Sequence, residues 1–279
     1  MAFFASARQG IIRRDGDMAE VLDLGYSDLG SALHYGLTAK DLSAAPVKAR
    51  FPAAALRFTA PVPVPRVLWI AGANYRGHNA EIGLKEDPKF PPTMVIASSS
   101  VTGPYDAVIS PAVAPDEIDY ECEVAIVIGR KAAGISKDAA WSHVFGLTGA
   151  QDITARDVQF GKFLAGMDAA KAKSFDTFTP MGPWVATPDE FPDPDDIGLK
   201  TLIDGELRQD ARTSDMIFGV AEIVSFMSGF TTLMPGDVIL TGTPAGVAIR
   251  SKKWVRPGQV IRTEIEVIGT LENRLVPAG

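Results

Sequence analysis

An α+β fold is predicted by the sequence: a β-rich domain over residues 66–279, preceded by a small N-terminal module over residues 1–60. Short segments rich in β-forming residues recur along the chain and are separated by Gly and Pro turns. Helical segments are fewer and do not alternate regularly with the strands, which favours an α+β arrangement. Residues 60–65, APVPVP, separate the two parts, because repeated prolines favour an extended chain and remove backbone donors.

The predicted elements can be placed in chain order. Apolar and β-branched runs predict strands at residues 67–71, 93–97, 121–128, 184–186, 199–203, 238–241 and 260–268. Helical patterns cover residues 74–82, 137–144 and 216–228. The last of these places its apolar side chains on one face, as expected of a helix that packs on a sheet.

Composition and charge exclude several classes of function. The chain has 279 residues, of which 46% are hydrophobic and 22% charged, as in ordinary globular proteins. A net charge of −7 without a basic run argues against binding to nucleic acid or to an anionic membrane. No stretch approaches the ~18–20 apolar residues of a membrane span, and the N-terminus lacks the basic start of a signal peptide. The single cysteine, Cys122, cannot form an internal disulfide, so we expect a cytoplasmic protein.

Two carboxylates at the start of the third strand suggest a metal site. Side chains alternate along a strand, so Glu121 and Glu123 point to one face and Cys122 to the other. Neighbouring carboxylates repel and are costly to bury without positive charge between them. A third carboxylate, Asp152, follows later in the chain, and three convergent carboxylates suit Mg²⁺ or Mn²⁺. The alternative for the E-x-E pattern alone is a strand with a solvated acidic face.

His78 is the best candidate for a general base. In a helix, His78 and Glu81 are three residues apart and therefore neighbours on one face. A carboxylate beside an imidazole raises its basicity and fixes its tautomer. The alternative is a chance pair on a surface helix, and His34 and His143 are interpreted as structural or surface residues. The second histidine of a zincin motif is absent.

Two further segments contain candidate substrate-binding residues: the one that begins at Asp152 and the turn after the predicted strand at residues 238–241. If residues 152–159 are helical, Asp152, Arg156 and Gln159 form one stripe, with Lys173 arriving from the following loop. The stripe could hold an anionic substrate, or it could be a helix face with an ordinary Asp–Arg pair. The turn around Thr243 could offer backbone N–H and hydroxyl groups to an anion, or be a plain turn.

Taken in order, these motifs resemble the fumarylacetoacetate hydrolase family. The pattern runs N-Y-x-x-H-x-x-E, a Ser-rich segment, D-Y-E-x-E, D-x-x-A-R-D-x-Q, K-S-F-D, G-P-W and T-G-T-P. The resemblance implies a mixed β-roll catalytic domain, usually a homodimer, with Mg²⁺ or Mn²⁺ held by Glu121, Glu123 and Asp152. It also implies a His78–Glu81 dyad on a segment that closes over substrate. The remaining site residues that it implies are Arg156, Gln159, Lys173, Thr243 and Tyr75.

The reaction implied is the hydrolysis of a C–C bond in a 1,3-dicarbonyl acid of the acylpyruvate or fumarylacetoacetate type. His78, oriented by Glu81, would activate water, while Lys173 and Gln159 would stabilise the oxyanion and Arg156 would hold the polar end of the substrate. Oxaloacetate decarboxylation, hydration or isomerisation of a 2-oxo-enoate, and keto–enol isomerisation are alternatives through the same enolate. A non-catalytic, metal-dependent binding protein for oxo acids is the alternative of another class. The chain departs from many members by carrying Ile96-Ala97 near a usual lysine position and Gln151 before Asp152.

Overall fold

Three β-sheets form the fold in the computed structural model, which describes residues 2–161 and 168–278. The strands of the first half are β1 (Phe3–Ala7), β2 (Gly10–Asp15), β3 (Met18–Leu22), β4 (Val47–Pro52), β5 (Phe58–Thr59), β6 (Leu68–Ala71), β7 (Thr93–Ile96), β8 (Val101–Thr102), β9 (Val108–Ser110), β10 (Ile118–Asp119) and β11 (Cys122–Ile128). Those that follow are β12 (Val144–Gln151), β13 (Thr154–Ala155), β14 (Thr179–Ala186), β15 (Gly198–Ile203), β16 (Glu206–Arg212), β17 (Val238–Leu240), β18 (Val260–Ile265) and β19 (Gly269–Pro277).

The helices are short and lie between the strands. They are α1 (Leu29–His34), α2 (Ala39–Ala44), α3 (Arg76–Glu81), α4 (Lys137–Ala140), α5 (Arg156–Gln159), α6 (Ala169–Lys173), α7 (Val220–Ser228) and α8 (Ala248–Ser251). Across residues 2–161 and 168–278, no helix combines the length and apolar character needed to cross a membrane. Strands predominate and the helices do not alternate regularly with them, so the predicted α+β class is confirmed.

The largest sheet has the strand order β4-β3-β2-β1-β14-β12-β11-β17-β6-β7, with β5 paired to β1 and β8 to β14. Most neighbours are antiparallel, but β17 pairs with β6 in parallel, so the sheet is mixed. Strand β11 lies inside this sheet between β12 and β17, and all seven of its residues are buried. Its unbroken apolar run is therefore explained by burial on both faces.

A second sheet, in the order β16-β15-β18-β19-β9, packs against the first. Leu199 of β15 and Ile265 of β18 share one hydrophobic cluster with Val124 and Ile126 of β11 and Leu147 of β12. The smallest sheet pairs β10 with β13. The second sheet thus covers the face of β11 opposite to the one on which Glu121 and Glu123 project.

The N-terminal residues extend the large sheet. Strand β1 pairs with β14, with Phe3 opposite Ala186, and Phe4 packs 5.7 Å from the ring of Phe145. The proline segment also packs, since Val62 is buried in the cluster that contains Leu29. Residues 2–60 therefore cover what would be an open edge of β14. Their folding as a separate module stays a prediction.

Several predicted helices are shorter than expected. Helix α7 begins at Val220 rather than at residue 216, and α4 ends at Ala140 before a 3₁₀ turn. The predicted helix over residues 152–159 is wrong in its first half. Residues Thr154 and Ala155 pair with β10, and this pairing holds them extended until α5 begins at Arg156. Asp152 therefore does not lie on the helix that carries Arg156.

The side chain of Asn74 links three segments of the chain, and we expect it to stabilise the fold. Its buried side chain donates to the carbonyls of Phe218 (3.0 Å) and Thr241 (2.8 Å) and accepts from the N–H of Phe218 (2.8 Å). Asn74→Ala should lower the free energy of unfolding by about 2–4 kcal/mol, because it leaves buried backbone groups without partners. Urea unfolding in EDTA measures this, and a loss below about 0.5 kcal/mol would contradict it.

Candidate metal centre and active site

Three buried carboxylates meet at one end of β11 and β12. Glu121 directly precedes β11, Glu123 lies within it, and Asp152 directly follows β12. These strands are antiparallel, with Cys122 opposite Gln151, and the N–H of Asp152 donates to the carbonyl of Glu121 at 2.9 Å. One carboxylate oxygen from each of the three residues lies within 4.8 Å of the others. The predicted metal ligands are thus brought together by the pairing of two strands.

Lys173 of α6 lies directly against this cluster. Its ammonium group donates to Glu121 at 2.8 Å, to Asp152, and to the hydroxyl of Thr154 at 2.9 Å. All three N–H bonds of the ammonium are used in this way. Lys173 therefore compensates the charge of the carboxylates, and its predicted contact with a substrate oxyanion stays a prediction.

Arg156 donates hydrogen bonds to three side chains of the site. Its guanidinium donates to Asp119 at 2.8 Å, to Glu121, and to the side-chain carbonyl of Gln159 at 2.7 Å. Gln159 is consequently held with its amide at the wall of the cavity described below. Sequence reasoning assigned no role to Asp119, although it is the first residue of the D-Y-E-x-E motif.

The buried charges of the cluster do not cancel. If all were ionised, Asp119, Glu121, Glu123 and Asp152 would carry four negative charges against the two positive charges of Arg156 and Lys173, and all six side chains are buried. Burial, together with repulsion by Asp152 and Glu121, raises the pKa of Glu123 well above its ordinary value. Burial raises the pKa of Asp152 to about 7 in spite of Lys173. Burial acts on Glu121 as well, but Lys173 and Arg156 lie so close that its pKa is lowered.

These residues fit a divalent cation. A cation of charge +2 would neutralise the excess charge, and oxygen donors are the ligands that Mg²⁺ and Mn²⁺ prefer. Oδ1 of Asp152 is buried and has no hydrogen-bond partner among the described residues. A buried carboxylate oxygen without a partner is costly, so a metal ion would also satisfy this atom.

Metal binding is expected to weaken as the pH falls. A ligand carboxyl must lose its proton to bind metal, and the pKa of Asp152 is raised to about 7. Mn²⁺ affinity should therefore fall as the pH is lowered through about 7, and binding at pH 6 should release protons. Titration calorimetry at pH 6 and pH 8, in buffers of different ionisation enthalpy, measures both effects. Equal affinity at the two pH values without proton release would contradict the expectation.

A cavity of about 390 Å³ opens above the carboxylates. Its polar lining includes the site residues His78, Glu121, Glu123, Arg156, Gln159, Lys173 and Thr243. Its apolar lining includes Ile70, Ile82, Met94, Phe160 and Ile249. The cavity thus offers both charged and apolar groups to a small ligand.

His78 and Glu81 lie on α3 at the edge of this cavity. The imidazole Nδ1 of His78 is 3.6 Å from Oε2 of Glu81, slightly beyond hydrogen-bond distance. That Nδ1 has no hydrogen-bond partner among the described residues, and Glu81 accepts from the N–H of Gly246 at 3.1 Å. His78 is only 7% exposed. The predicted dyad is therefore adjacent, and such contacts commonly shorten when substrate binds.

Thr243 and Tyr75 differ in their placement. Thr243 lines the cavity, but its hydroxyl donates to the carbonyl of Cys122 at 3.0 Å and accepts from Gln209 at 2.8 Å. Tyr75 is not among the described residues that line this cavity; it borders a separate one with Asp215. Burial raises the pKa of Tyr75 well above its ordinary value. The placement gives no support to the predicted contact between Tyr75 and substrate.

Gly242 donates its backbone N–H to an anion, as the turn around Thr243 was expected to do, but the anion is a carboxylate of the protein itself. Its N–H donates to Glu123 at 2.6 Å. The residue has a φ of +91°, and an added Cβ would lie 2.8 Å from the carbonyl oxygen of Ala71. Glycine is therefore required at this position of the T-G-T-P turn, and the turn holds one predicted metal ligand by its backbone.

Comparison with known proteins identifies the family of this chain. A family model described as "Fumarylacetoacetate (FAA) hydrolase C-terminal" matches residues 67–276. The chain belongs to the fumarylacetoacetate hydrolase family. The resemblance inferred from the ordered motifs is thereby confirmed, and the protein is an enzyme of this family.

Three relatives illustrate the range of the family. Oxaloacetate tautomerase YisK of Bacillus subtilis (strain 168) is 39% identical over 226 residues, 79% of this chain and 73% of YisK. The solved fumarylacetoacetate hydrolase of Exiguobacterium antarcticum is 32% identical, covers both chains fully and superposes with a TM-score of 0.86. Maleylpyruvate hydrolase of Sphingobium sp. SYK-6, solved with manganese(II) and pyruvate, is 26% identical over both full chains, with a TM-score of 0.79. The family fold therefore hosts more than one reaction on oxo acids.

Proposed function

We propose that this protein is a divalent-metal-dependent enzyme that acts on small 2-oxo acids through their enolates, with the keto–enol tautomerisation of oxaloacetate as its reaction. The observation that carries the proposal is the buried cluster of Glu121, Glu123 and Asp152 beneath a small cavity that also contains His78. The likeness to oxaloacetate tautomerase YisK supports the choice of reaction.

Each residue would have a definite part. Mg²⁺ or Mn²⁺, held by the three carboxylates, would supply Lewis-acid polarisation of the 2-oxo acid. Because Nδ1 of His78 faces Glu81, Nε2 is the nitrogen left to take a proton from C3 of the keto form and return it to the C2 oxygen. Lys173 and Arg156 hold the carboxylates in place through the ion pairs described above. The apolar side chains that line the cavity would exclude water from the enolate.

The proposal is tested by following the enol absorbance of oxaloacetate after the keto form is added. We expect equilibration above the rate seen with metal alone, in Mn²⁺ or Mg²⁺, and its loss in EDTA. An enzyme that never exceeds the background of free metal would refute tautomerisation.

Hydrolysis of a C–C bond in an acylpyruvate-type acid is the second candidate, and two observations favour it. His78 and Glu81 lie side by side, as activation of water requires. Among the described residues that line the cavity, the cations Arg156 and Lys173 are both paired with carboxylates. The lining also includes Ile70, Ile82, Met94, Phe160 and Ile249, which would suit an uncharged tail better than a second carboxylate.

A pair of substrates separates the two candidates. Proton NMR of acetylpyruvate with enzyme and Mg²⁺ should show acetate and pyruvate, abolished by EDTA, if the hydrolase is right. Oxaloacetate that equilibrates rapidly while acetylpyruvate stays intact would favour the tautomerase. Pyruvate formed from oxaloacetate above the metal-alone rate would instead identify a decarboxylase.

A further inference from the structure

The side chain of Gln209, on β16 of the second sheet, lies behind β11 and is 2% exposed. Its carbonyl oxygen accepts from the N–H of Cys122 at 3.0 Å and from the hydroxyl of Thr201 at 2.9 Å. Its amide nitrogen donates to the hydroxyl of Thr243 at 2.8 Å and to the carbonyl of Pro244 at 2.9 Å. The amide thus uses two acceptor and two donor positions, which is its full capacity.

The orientation of this amide follows from its partners. The N–H of Cys122 can only donate and the carbonyl of Pro244 can only accept, so an exchanged amide would leave both without a bond. Two buried backbone groups would then be unsatisfied, at a substantial cost. Gln209 is therefore held in one orientation between β11 and the turn after β17.

These contacts lead directly to the metal ligands. Cys122 lies between Glu121 and Glu123 in the chain. Holding its backbone in place therefore also positions the Cα atoms from which the two glutamate side chains extend. The turn at the other end of the amide holds Glu123 through the N–H of Gly242 at 2.6 Å. Thr243 also donates back to the carbonyl of Cys122 at 3.0 Å, which closes a ring of hydrogen bonds.

A second buried glutamine continues the same network. Gln151 accepts from the N–H of Glu121 at 3.0 Å and donates to Thr201 at 3.2 Å and to Thr263 at 2.5 Å. Thr201 is shared between the two glutamines. The backbone of two consecutive residues, Glu121 and Cys122, is thus attached to the second sheet by side-chain amides.

We infer that Gln209 is a positioning residue for the metal centre, acting through the backbone of Cys122 and the turn at Gly242–Pro244. Groups that orient metal ligands typically contribute ~10–100-fold to metal affinity. The inference rests on the proposed function, because it takes Glu121, Glu123 and Asp152 to be metal ligands.

The test compares Gln209→Met with Asn273→Leu. Asn273 is also fully buried, and its amide donates to the carbonyls of Gly103 (3.2 Å) and Asp106 (2.8 Å), but it is not among the residues that line the cavity. Both variants should lower the Tm of the metal-free protein, since each removes a buried amide. Only Gln209→Met should weaken Mn²⁺ binding, by about 10–100-fold in calorimetry, and change the EPR spectrum of the bound ion. Thr201→Val removes one contact of the Gln209 amide and one of the Gln151 amide but keeps the contacts of Gln209 with Cys122 and the turn. It should weaken binding less and provides a milder variant should Gln209→Met not fold.

Three results are decisive against the inference. Gln209→Met, or Thr201→Val in its place, that binds Mn²⁺ with wild-type affinity and spectrum would overturn the positioning role. Equal weakening in Asn273→Leu would reduce the effect to general stability. A wild-type protein that does not bind Mn²⁺ would overturn the metal centre itself, and this outcome is distinguished because it appears before any variant is made.

Discussion

Glu123→Gln is expected to weaken divalent-metal binding strongly while leaving the metal-free protein at least as stable as the wild type. Glu123 is 1% exposed, and burial with two neighbouring carboxylates raises its pKa well above the ordinary value. The neutral amide has nearly the same shape and can still accept from the N–H of Gly242. It cannot ionise, so the burial and repulsion that oppose a charge at Glu123 in the absence of metal no longer act.

The same substitution removes one of three carboxylate ligands. Mn²⁺ affinity should fall by at least about 100-fold, more than for a residue that only orients a ligand. Turnover should fall with it. Calorimetric Mn²⁺ titration and thermal unfolding with EDTA or Mn²⁺ measure the two effects separately.

Glu222→Gln is the matched control for this prediction. Glu222 lies on α7, where its side chain is 42% exposed and pairs with Lys137 at 3.1 Å. Its amide variant should bind Mn²⁺ like the wild type. If Glu123→Gln also keeps wild-type affinity, the carboxylate cluster does not hold the metal.

His78→Ala is expected to lower kcat by about 10²–10⁴-fold, the usual contribution of a general base. The imidazole lines the cavity and lies 3.6 Å from Glu81. It does not belong to the group of three carboxylates proposed to bind metal. Mn²⁺ affinity should therefore stay within about twofold of the wild type, since the ligands and their orienting partners are unchanged. Steady-state kinetics under saturating Mn²⁺, together with calorimetry, measure this separation.

His34→Ala provides the control for the histidine prediction. His34 is exposed at the end of α1 and is not among the described residues that line the cavity. Its removal should leave both kcat and metal affinity unchanged. Wild-type turnover in His78→Ala would show that another group moves the proton, whereas lost metal affinity would make His78 a ligand.

Much of the candidate site could be predicted from local sequence. The alternation of a strand was sufficient to place Glu121 and Glu123 on one face, with Cys122 behind them. The helical spacing of His78 and Glu81 was sufficient to make them neighbours. These relations depend only on residues a few positions apart, and backbone geometry alone determines them.

The stripe of Asp152, Arg156 and Gln159 shows where local reasoning failed. The spacing suggested one helix, but residues 154–155 are held extended by β10. Arg156 still reaches the cluster, because the same pairing sets α5 beside Asp119 and Glu121. The three residues do lie together, but a strand pairing that their spacing does not encode determines the geometry.

The sequence by itself determined the chemical groups of this protein: the carboxylates, the histidine, the two cations and the order of motifs that marks the family. Only the tertiary structure decided how they act together. It gave all three N–H bonds of Lys173 to Thr154 and two carboxylates, left Oδ1 of Asp152 without a partner among the described residues, and brought Gln209 behind Cys122. Gln209 lies 87 positions from Cys122 along the chain, and such contacts depend on the packing of one sheet on another, which no local periodicity encodes.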